Sequence, residues 1–434
     1  MKRPIVVIEV KLDDPPGSET VVFTAQTTGA TERFQLLRGT LDSARTEVSE
    51  NLRQFKEDVG PRLAPGADRV KRAFRELFSR TSVLAKRLMP HGSADLFRVR
   101  QLFEGAFPQW RDYKGVPLVQ VEGPASGFPF ELLALFGGPS PKSVDDIALY
   151  ARRFLAFSTA VWRVPYVVGA PGGVSSGQEL QAQGPLPVSL IWYQPFAGAQ
   201  REHKYFADRP DLVELNGPWP ELGMRAADTV VEELGGVLYD PHRRFAHIDA
   251  GSELQIQHFA CHGRTEDAHP AGYELTLAGG ANEPWPIPLA ALDDDFDKRT
   301  DGIPRVRPLV FLNACGSGHI DPVRMYSWPH WFLQNGHRGV IGTETLVPDV
   351  VAARFSEFFY DELLAQRPLG AALVLARRKL LHEFMNPLGL LYVLYADPDL
   401  TVRFGTERPV DRTLARHRSR RTEGLRGPAA GADP

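Results

Sequence analysis

Two stretches decide the fold of this chain, LQIQHFACHG at residues 254–263 and PLVFLNACGSG at residues 308–318. Each begins as an apolar run of strand length and ends in small or polar residues, which is typical of a buried strand that passes into a loop. The first run ends at His262 and Gly263, and the second ends at Cys315, 53 positions after the histidine. The sequence therefore predicts that two strand ends present an imidazole and a thiol.

The sequence around these stretches predicts an α/β fold. Apolar runs such as VSLIWY, RGVIGT and LLYVLY alternate with helical patterns, the longest of which cover residues 350–364 and 369–384. Strands that are apolar on both faces and alternate with helices are typical of a mostly parallel sheet flanked by helices on both faces. In such sheets the site lies beyond the carboxyl ends of the strands, where His262 and Cys315 fall.

The first part of the chain predicts a β-hairpin followed by helices. IVVIEVKL and ETVVFTAQ are β-rich runs on either side of DDPPGS, whose Pro-Gly sequence favours a turn. Residues 41–59 and 68–89 have the composition and the apolar spacing of two amphipathic helices. A hairpin of this kind needs another element to pack on, and the helices are the nearest candidates.

Composition divides the chain into three parts. Residues 1–84 hold the hairpin and helices of an N-terminal accessory region, and residues 85–404 form the α/β domain. Within that domain the segment 169–187 is rich in Gly, Pro, Ser and Gln, which predicts a surface loop or linker. Residues 405–434 are rich in Arg, Gly and Pro with few apolar side chains, which predicts a disordered tail.

Composition and charge exclude several classes of function. The 434 residues carry a net charge of −3 with acidic and basic residues mixed along the chain, which argues against nucleic acid as a partner. The apolar runs are too short for a signal peptide or a membrane span, so no membrane partner is expected. Cys261 and Cys315 are too few for a disulfide framework, which favours a reducing, cytoplasmic location.

His262, Gly263 and Cys315 together supply the groups that a cysteine protease needs. The thiolate of Cys315 would attack a peptide carbonyl, and His262 would act as general acid and base. The backbone N–H groups of Gly263 and Cys315 would form the oxyanion hole, since a glycine lets a substrate approach its N–H closely. A histidine-glycine pair with a cysteine roughly 50 residues downstream is the arrangement of caspase-like proteases.

Other interpretations of these residues compete with catalysis. A single cysteine at the end of an apolar strand is usually a small buried hydrophobe, and alternation turns Cys261 to the other face of the sheet from His262, towards the core. His258 and His262 with the two cysteines could suggest zinc, but no Cys-x-x-Cys pair exists, so no metal is expected. The glycines near residue 172 lack the GxxxxGK[ST] pattern, so no nucleotide cofactor is expected either.

Five sequence blocks, GFPFELL, HFACHG, LNACGSG, RGVIGTETLVPD and LYADPDLTVRF, occur in this order between residues 85 and 404. They resemble, in the same order, the blocks of CHAT-domain proteins, a bacterial branch of the caspase-like peptidases, to which separase is also related. The resemblance implies a caspase-like α/β fold and a His-Cys dyad, placed here on His262 and Cys315. Ala396 and Phe130 stand where the family often has Gly and Trp, and neither change removes a catalytic group.

The resemblance leaves the specificity open. Residues 313–317 differ from the caspase signature around the cysteine, so specificity for aspartate does not carry over. Glu344 and Asp349 follow the strand after Cys315 and could line an acidic S1 pocket that binds Arg or Lys, as in several relatives. In the competing interpretation, Asp349 caps the N-terminus of a helix and Glu344 lies in a solvated loop.

Two further segments allow both a structural and a functional interpretation. LDDDFDKRTDG at residues 292–302 is charged and predicts a mobile, solvated loop, with Lys298 and Arg299 as conceivable points of self-cleavage. GFPFELL predicts a packing element rather than a part of the site, because it consists mainly of large apolar residues.

The leading functional hypothesis is a regulated cysteine endopeptidase that cleaves a protein partner, with an activating or sensor protein as a second partner. No repeats precede the domain, so sensing would fall to residues 1–84 or to a separate protein. The alternative is a non-catalytic interaction or scaffold module of a bacterial signalling or defence system, which would commonly have lost His262 or Cys315. Hydrolysis of a non-peptide amide or ester by the same dyad is a third hypothesis.

Overall fold

The computed structural model describes residues 4–12, 18–37, 39–107, 116–123, 128–135, 147–164, 179–182, 184–224, 229–239, 254–265, 272–280, 284–298, 308–318 and 327–404. The strands are β1 (Ile5–Leu12), β2 (Ser18–Ala25), β3 (Thr31–Leu37), β4 (Leu118–Glu122), β5 (Ala160–Val164), β6 (Leu180–Ala182), β7 (Leu186–Trp192), β8 (Val213–Trp219), β9 (Ile256–Ala260), β10 (His262–Thr265), β11 (Tyr273–Leu277), β12 (Trp285–Pro288), β13 (Leu309–Asn313), β14 (Gly339–Thr343), β15 (Tyr392–Ala396) and β16 (Val402–Phe404). The α-helices are α1 (Thr40–Val59), α2 (Ala67–Arg87), α3 (Ser93–Ala106), α4 (Ile147–Ala151), α5 (Leu155–Ser158), α6 (Ala197–Ala207), α7 (Val230–Tyr239), α8 (Leu289–Asp297), α9 (Trp328–Gln334), α10 (Asp349–Leu364) and α11 (Leu369–Phe384), with 3-10 helices at Phe130–Leu132 and Pro387–Leu391.

The larger sheet has six strands in the order β15-β14-β13-β9-β7-β8. Its strands run parallel, except that β15 pairs antiparallel with β14 at one edge. The pairing places Asn313 of β13 beside Ala260 of β9, and Ala260 beside Trp192 of β7, so these three strands end at the same level. The residues that follow them therefore meet at one edge of the sheet.

Helices cover both faces of this sheet, because the inner strands are apolar on both sides. Along β13, Leu309 and Phe311 pack in one core with α6, α10 and α11, whereas Val310 and Leu312 pack in another with α7, α8 and α9. This alternation is the period of two that a strand imposes on its side chains. The predicted α/β architecture, a mostly parallel sheet flanked by helices on both faces, is confirmed.

The N-terminal region builds a second sheet of five strands in the order β3-β2-β1-β4-β5. The predicted hairpin is present as β1 and β2, the predicted helices are present as α1 and α2, and the sheet adds β3, which the sequence did not indicate. β4 and β5 run parallel to β1 and come from beyond residue 84, where the sequence places its first boundary. Residue 84 itself lies inside α2. The hairpin therefore shares its sheet with strands from both sides of the predicted boundary.

The two sheets lie side by side, with β5 of the first next to β15 of the second. The side chain of Arg163 on β5 is completely buried at this junction and donates a hydrogen bond to the hydroxyl of Tyr395 on β15, at 2.9 Å. The N-terminal sheet is therefore in direct contact with the sheet that carries the two signature stretches.

The charged segment that the sequence predicts to be a solvated loop is helical over residues 292–297, and its last four residues lie outside the described part of the chain. Residues 289–297 form α8, whose Leu289 and Leu292 are fully buried although its other face is acidic. Two buried leucines on one face hold the helix against the core. The high density of charged residues in the segment made this apolar face hard to recognise in the sequence. Lys298 follows directly after this helix, and Arg299 lies outside the described residues.

The predicted linker and tail fall mainly outside the described residues. Within 169–187, the residues that are described form β6, which pairs with β16, and the beginning of β7. The whole of 405–434 lies outside the described part of the chain. Among the described helices, none combines the length and the apolar character that crossing a bilayer requires.

Candidate active site

His262 and Cys315 meet at the carboxyl edge of the larger sheet, just beyond the neighbouring parallel strands β9 and β13. Both residues line a single cavity of about 300 Å³. The imidazole is exposed and the thiol is partly exposed, so a substrate can reach them from the same opening. These two described side chains make no hydrogen bond to each other in this state, as is common in free enzymes whose contacts tighten on binding substrate.

Gly263 lies so close to the cysteine that no side chain fits at its position. A Cβ atom there would overlap the carbonyl oxygen of Cys315 and lie 3.1 Å from its amide nitrogen. The backbone of Gly263 also acts to lower the pKa of the thiol. Glycine at this position therefore lets the two backbones approach each other closely.

The loop that carries Cys315 is fixed by the neighbouring strand β14. Gly316, in the left-handed region with φ of 67°, donates its N–H to Thr343 Oγ1 at 3.1 Å. Thr343 Oγ1 in turn donates to Ala314 O at 2.8 Å, so one threonine holds both sides of the cysteine. The N–H of Cys315 itself donates to no acceptor within the described residues, which leaves it available to an oxyanion.

Two aromatic rings hold the imidazole of His262. Tyr193 and Phe196, which follow β7, contact it edge to face at centroid distances of 4.8 and 4.0 Å. Burial lowers the pKa of His262, while the carboxylate of Asp349 acts in the opposite direction. Sequence patterns did not indicate the two rings, because they follow a strand whose end carries no distinctive motif.

The thiol of Cys315 is protonated in this state. Burial raises its pKa, and hydrogen bonding with the backbone of Val347, the charge of Lys56 and the N–H of Gly263 only partly oppose that effect. Asp349 raises the pKa further. With a raised thiol pKa and a lowered imidazole pKa, the resting site holds a neutral thiol and a neutral imidazole rather than an ion pair.

Asp349 lines the cavity, where the predicted role in an acidic S1 pocket requires it to be. It is the first residue of α10, and the N-cap position that the competing interpretation assigned to it is occupied by Pro348. Its carboxylate lines the cavity and accepts hydrogen bonds from the N–H groups of Gly198, at 3.2 Å, and Val350, at 2.6 Å. Asp349 therefore presents a negative charge near His262 from between the N-termini of two helices.

Glu344 is not brought to the cavity and does not lie in a solvated loop. Its carboxylate is buried and pairs with Arg163. Burial raises the pKa of Glu344, and the charges of Arg163 and of Arg45 act against that rise. Arg163 also pairs with Glu131 of GFPFELL at 2.6 Å, and the apolar residues of that segment are buried, so it is a packing element as predicted.

The floor of the cavity is formed by two polar residues that the sequence did not reveal, Glu202 of α6 and Asn313. Glu202 accepts a hydrogen bond from Asn313 Nδ2 at 2.9 Å and pairs with His258 Nε2. His258 Nδ1 lies 3.0 Å from the hydroxyl of Tyr360, and both rings are buried. An ordinary amphipathic helix carries Glu202, so only the folded chain shows that this carboxylate faces the site.

Cys261 takes no part in the site chemistry that the geometry supports. It is buried in the core with α7, α8 and α9, and burial raises its pKa well above the usual value. Among the described residues, no group of His, Cys, Asp and Glu has the arrangement of a metal site. His258, which the sequence placed near such a group, is instead committed to Glu202 and to Tyr360.

Comparison with known proteins gives one family match and several distant likenesses. The CHAT domain family matches residues 184–388. A protein of Vitiosangium sp. (strain GDMCC 1.1324), named as a probable protease, is 37% identical over 95 residues, which are 21% of this chain and 12% of that protein. The match thus spans about an eighth of the length of that curated relative.

Two solved structures align with this chain at low identity and low TM-score. A chain of the separase–securin complex of Saccharomyces cerevisiae aligns with 92% of this chain and with 30% of its own length, at 12% identity and a TM-score of 0.44. The Arg-specific cysteine proteinase gingipain R aligns over 78% of each chain, at 9% identity and a TM-score of 0.34.

Proposed function

Because the chain carries a CHAT domain over residues 184–388, we propose that it is a cysteine endopeptidase with Cys315 as nucleophile and His262 as general acid and base. The observation that carries the proposal is that thiol and imidazole line one cavity, with the backbone of Gly263 packed closely against that of Cys315. The three groups supply a nucleophile, a proton carrier and an oxyanion donor within reach of a single peptide bond.

The reaction begins when a bound peptide displaces water and draws the imidazole and thiol together. His262 removes the proton of Cys315, and the thiolate attacks the peptide carbonyl. The N–H groups of Gly263 and Cys315 stabilise the negative charge that develops on the carbonyl oxygen. His262 then donates its proton to the departing amine, and a water molecule hydrolyses the thioester that remains.

The charge of the cavity favours a substrate with Lys or Arg before the cleaved bond. Asp349 contributes a carboxylate that is bonded only to backbone N–H groups, and no Lys or Arg lines the cavity within the described part of the chain. The carboxylate of Glu202 adds negative charge but is already held by His258 and Asn313. A substrate cation entering this space would meet acceptors that its desolvated charge requires. Of the two acidic residues that the sequence proposed for this pocket, Asp349 is retained and Glu344 is not.

The proposal is tested by digesting a peptide library with the wild-type chain, Cys315→Ala and His262→Ala. Both substitutions are expected to abolish cleavage after Lys or Arg while leaving the thermal unfolding temperature almost unchanged. Cys261→Ala is the matched control and should cleave like the wild type, since Cys261 borders the same cavity but its side chain is buried in the core with α7, α8 and α9. Undiminished cleavage by Cys315→Ala would refute the mechanism.

The same experiment separates the competing hypotheses. A non-catalytic scaffold predicts that the wild-type chain itself cleaves no peptide, even in the presence of a partner protein. Hydrolysis of a small amide or ester predicts turnover of such compounds that Cys315→Ala abolishes, with no cut in the peptide library. The exposed apolar side chain of Leu346, which lines the cavity, offers a polypeptide a contact beyond the reacting atoms and so favours the peptidase hypothesis.

A further inference from the structure

Arg163 connects the N-terminal sheet to the chain segments that hold Cys315. It lies on β5, and its fully buried guanidinium meets partners from several directions. Nη2 lies 2.6 Å from the carboxylate of Glu131, and Nη1 pairs with Glu344, which directly follows β14. Nη1 also donates a hydrogen bond to the hydroxyl of Tyr395 on β15, at 2.9 Å.

The first path from this guanidinium to the thiol runs through Glu344. The residues that follow it contact the cysteine loop directly. Thr345 O accepts a hydrogen bond from the N–H of Gly316 at 3.3 Å, and Val347 O lies 3.8 Å from Cys315 Sγ. Holding the carboxylate of Glu344 therefore holds the segment that lies against the thiol.

The second path runs through Tyr395. Its hydroxyl accepts the hydrogen bond from Arg163 and donates one to Gly318 O at 2.8 Å, in the loop that follows Cys315. The N–H of Gly318 donates to Thr343 O, also at 2.8 Å, which returns the loop to β14. One side chain of the N-terminal sheet is thus linked to both chain segments that fix the cysteine.

The ionic cluster around Arg163 is buried. Arg163 and Arg45 of α1 act on Glu344, Arg163 and Arg377 act on Glu131, and all five side chains are buried. A buried ion cluster adds little net stability, because the desolvation of the charges offsets their mutual attraction. A cluster of this kind is better suited to selecting one arrangement of the segments that it joins.

We propose that Arg163 is a positioning residue for Cys315, through which the N-terminal region sets the reactivity of the thiol without touching the substrate. The inference rests on the proposed function only in taking Cys315 as the nucleophile. Arg163 does not line the cavity, so its effect would reach the reaction through Glu344 and Tyr395 alone.

Alkylation by iodoacetamide tests this proposal without a known substrate. The thiolate sulfur forms a bond to the carbon of the reagent and iodide leaves, so the rate reports how readily Cys315 ionises and how it is oriented. The full chain is treated over a range of pH, and mass spectrometry follows the peptides of Cys315 and Cys261 separately. Tyr395→Phe and Glu344→Gln each cut one path and keep the shape of the side chain.

Both variants are expected to slow the alkylation of Cys315 at neutral pH by about tenfold, the scale of small displacements at a reacting atom. The inflection of the pH profile should move upward, since a displaced thiol moves away from the backbone of Val347 and of Gly263, which lower its pKa. Arg378→Met is the matched control. Arg378 also joins the two parts of the chain, donating to Phe157 O at 2.8 Å, but it does not reach the cysteine loop.

An unchanged inflection in Tyr395→Phe and Glu344→Gln overturns the proposal. An equal shift in Arg378→Met also overturns it, because it would show that any weakened contact between the two parts of the chain affects the thiol. With a peptide that the wild type cleaves, both variants should lower kcat and leave KM unchanged. Failure of the proposed function is distinguishable, because it appears as cleavage that survives Cys315→Ala, whereas the alkylation kinetics depend on the thiol alone.

Discussion

Two pairs of buried or half-buried carboxylates lie near Cys315, and they differ in whether an arginine contacts them. Behind the cysteine, Glu131 and Glu344 share the guanidinium of Arg163. In the cavity, Asp349 bonds only to backbone N–H groups and Glu202 is held by His258 and Asn313, with no arginine or lysine among the lining residues that the structure describes.

The comparison teaches that the position of the cations, rather than the number of acidic residues, decides which carboxylates can bind a substrate. Glu344 and Asp349 are five positions apart in one segment, and the sequence offered them as equivalent candidates. Arg163, which comes from a distant strand, neutralises the first and leaves the second unneutralised. Buried charge without a fixed cation is available to a ligand, whereas paired charge serves the structure.

Arg163→Met breaks the paired cluster and should have the largest effect. It leaves Glu131 and Glu344 buried without their shared cation, so the free energy of unfolding should fall by about 3–5 kcal/mol. Urea denaturation followed by circular dichroism measures this loss. Arg201→Met is the control, because its pair with Glu357 is partly exposed and should contribute about 0–1 kcal/mol. Equal losses in the two variants would contradict the distinction between the pairs.

Asp349→Asn removes charge from the cavity and should act on specificity more than on stability. Cleavage after Lys or Arg should lose about a hundredfold in kcat/KM, the scale of one desolvated charge pair. Cleavage of a peptide with an uncharged residue at that position should change much less. Steady-state kinetics with a matched pair of peptides measures both values, and an equal loss with the two peptides would mean that Asp349 does not recognise the substrate cation.

The same variant should shift the pH profile of Cys315 alkylation. The carboxylate of Asp349 raises the pKa of Cys315 and of His262, so its removal lowers both. In the wild type, burial places the inflection above the value of a free cysteine, which is about 8.5. In Asp349→Asn the inflection should move to lower pH, opposite to the shift expected for Glu344→Gln. Shifts in the same direction would show that the two carboxylates act alike on the thiol.

Sequence patterns predicted the parts of the molecule that local forces determine. The strands β9 and β13, with His262 and Cys315 at their ends, follow from apolar runs that end in small residues. The longest helices follow from apolar spacing, because a buried face recurs along them. The prediction of the α/β sheet, which the structure confirms, depends on the same signals.

The remainder could not be predicted because it depends on residues that are distant along the chain. Glu202 reaches the cavity floor from α6, and Arg163 reaches Glu344 across the junction of two sheets. Neither residue differs in its local sequence from an ordinary surface charge. α8 was missed for a related reason, since its tertiary contacts through Leu289 and Leu292 outweigh the loop-like composition of the segment.

Glu344→Gln should have the smallest effect on substrate choice, which makes it the sharpest test of the comparison. If Glu344 serves only the cluster with Arg163, the ratio of cleavage after Lys or Arg to cleavage after uncharged residues should equal that of the wild type, even though the overall rate falls. A competition digest of two peptides in one reaction measures this ratio independently of enzyme concentration. A ratio that falls as it does in Asp349→Asn would place Glu344 in contact with the substrate cation, and the separation of the two carboxylate pairs would then fail.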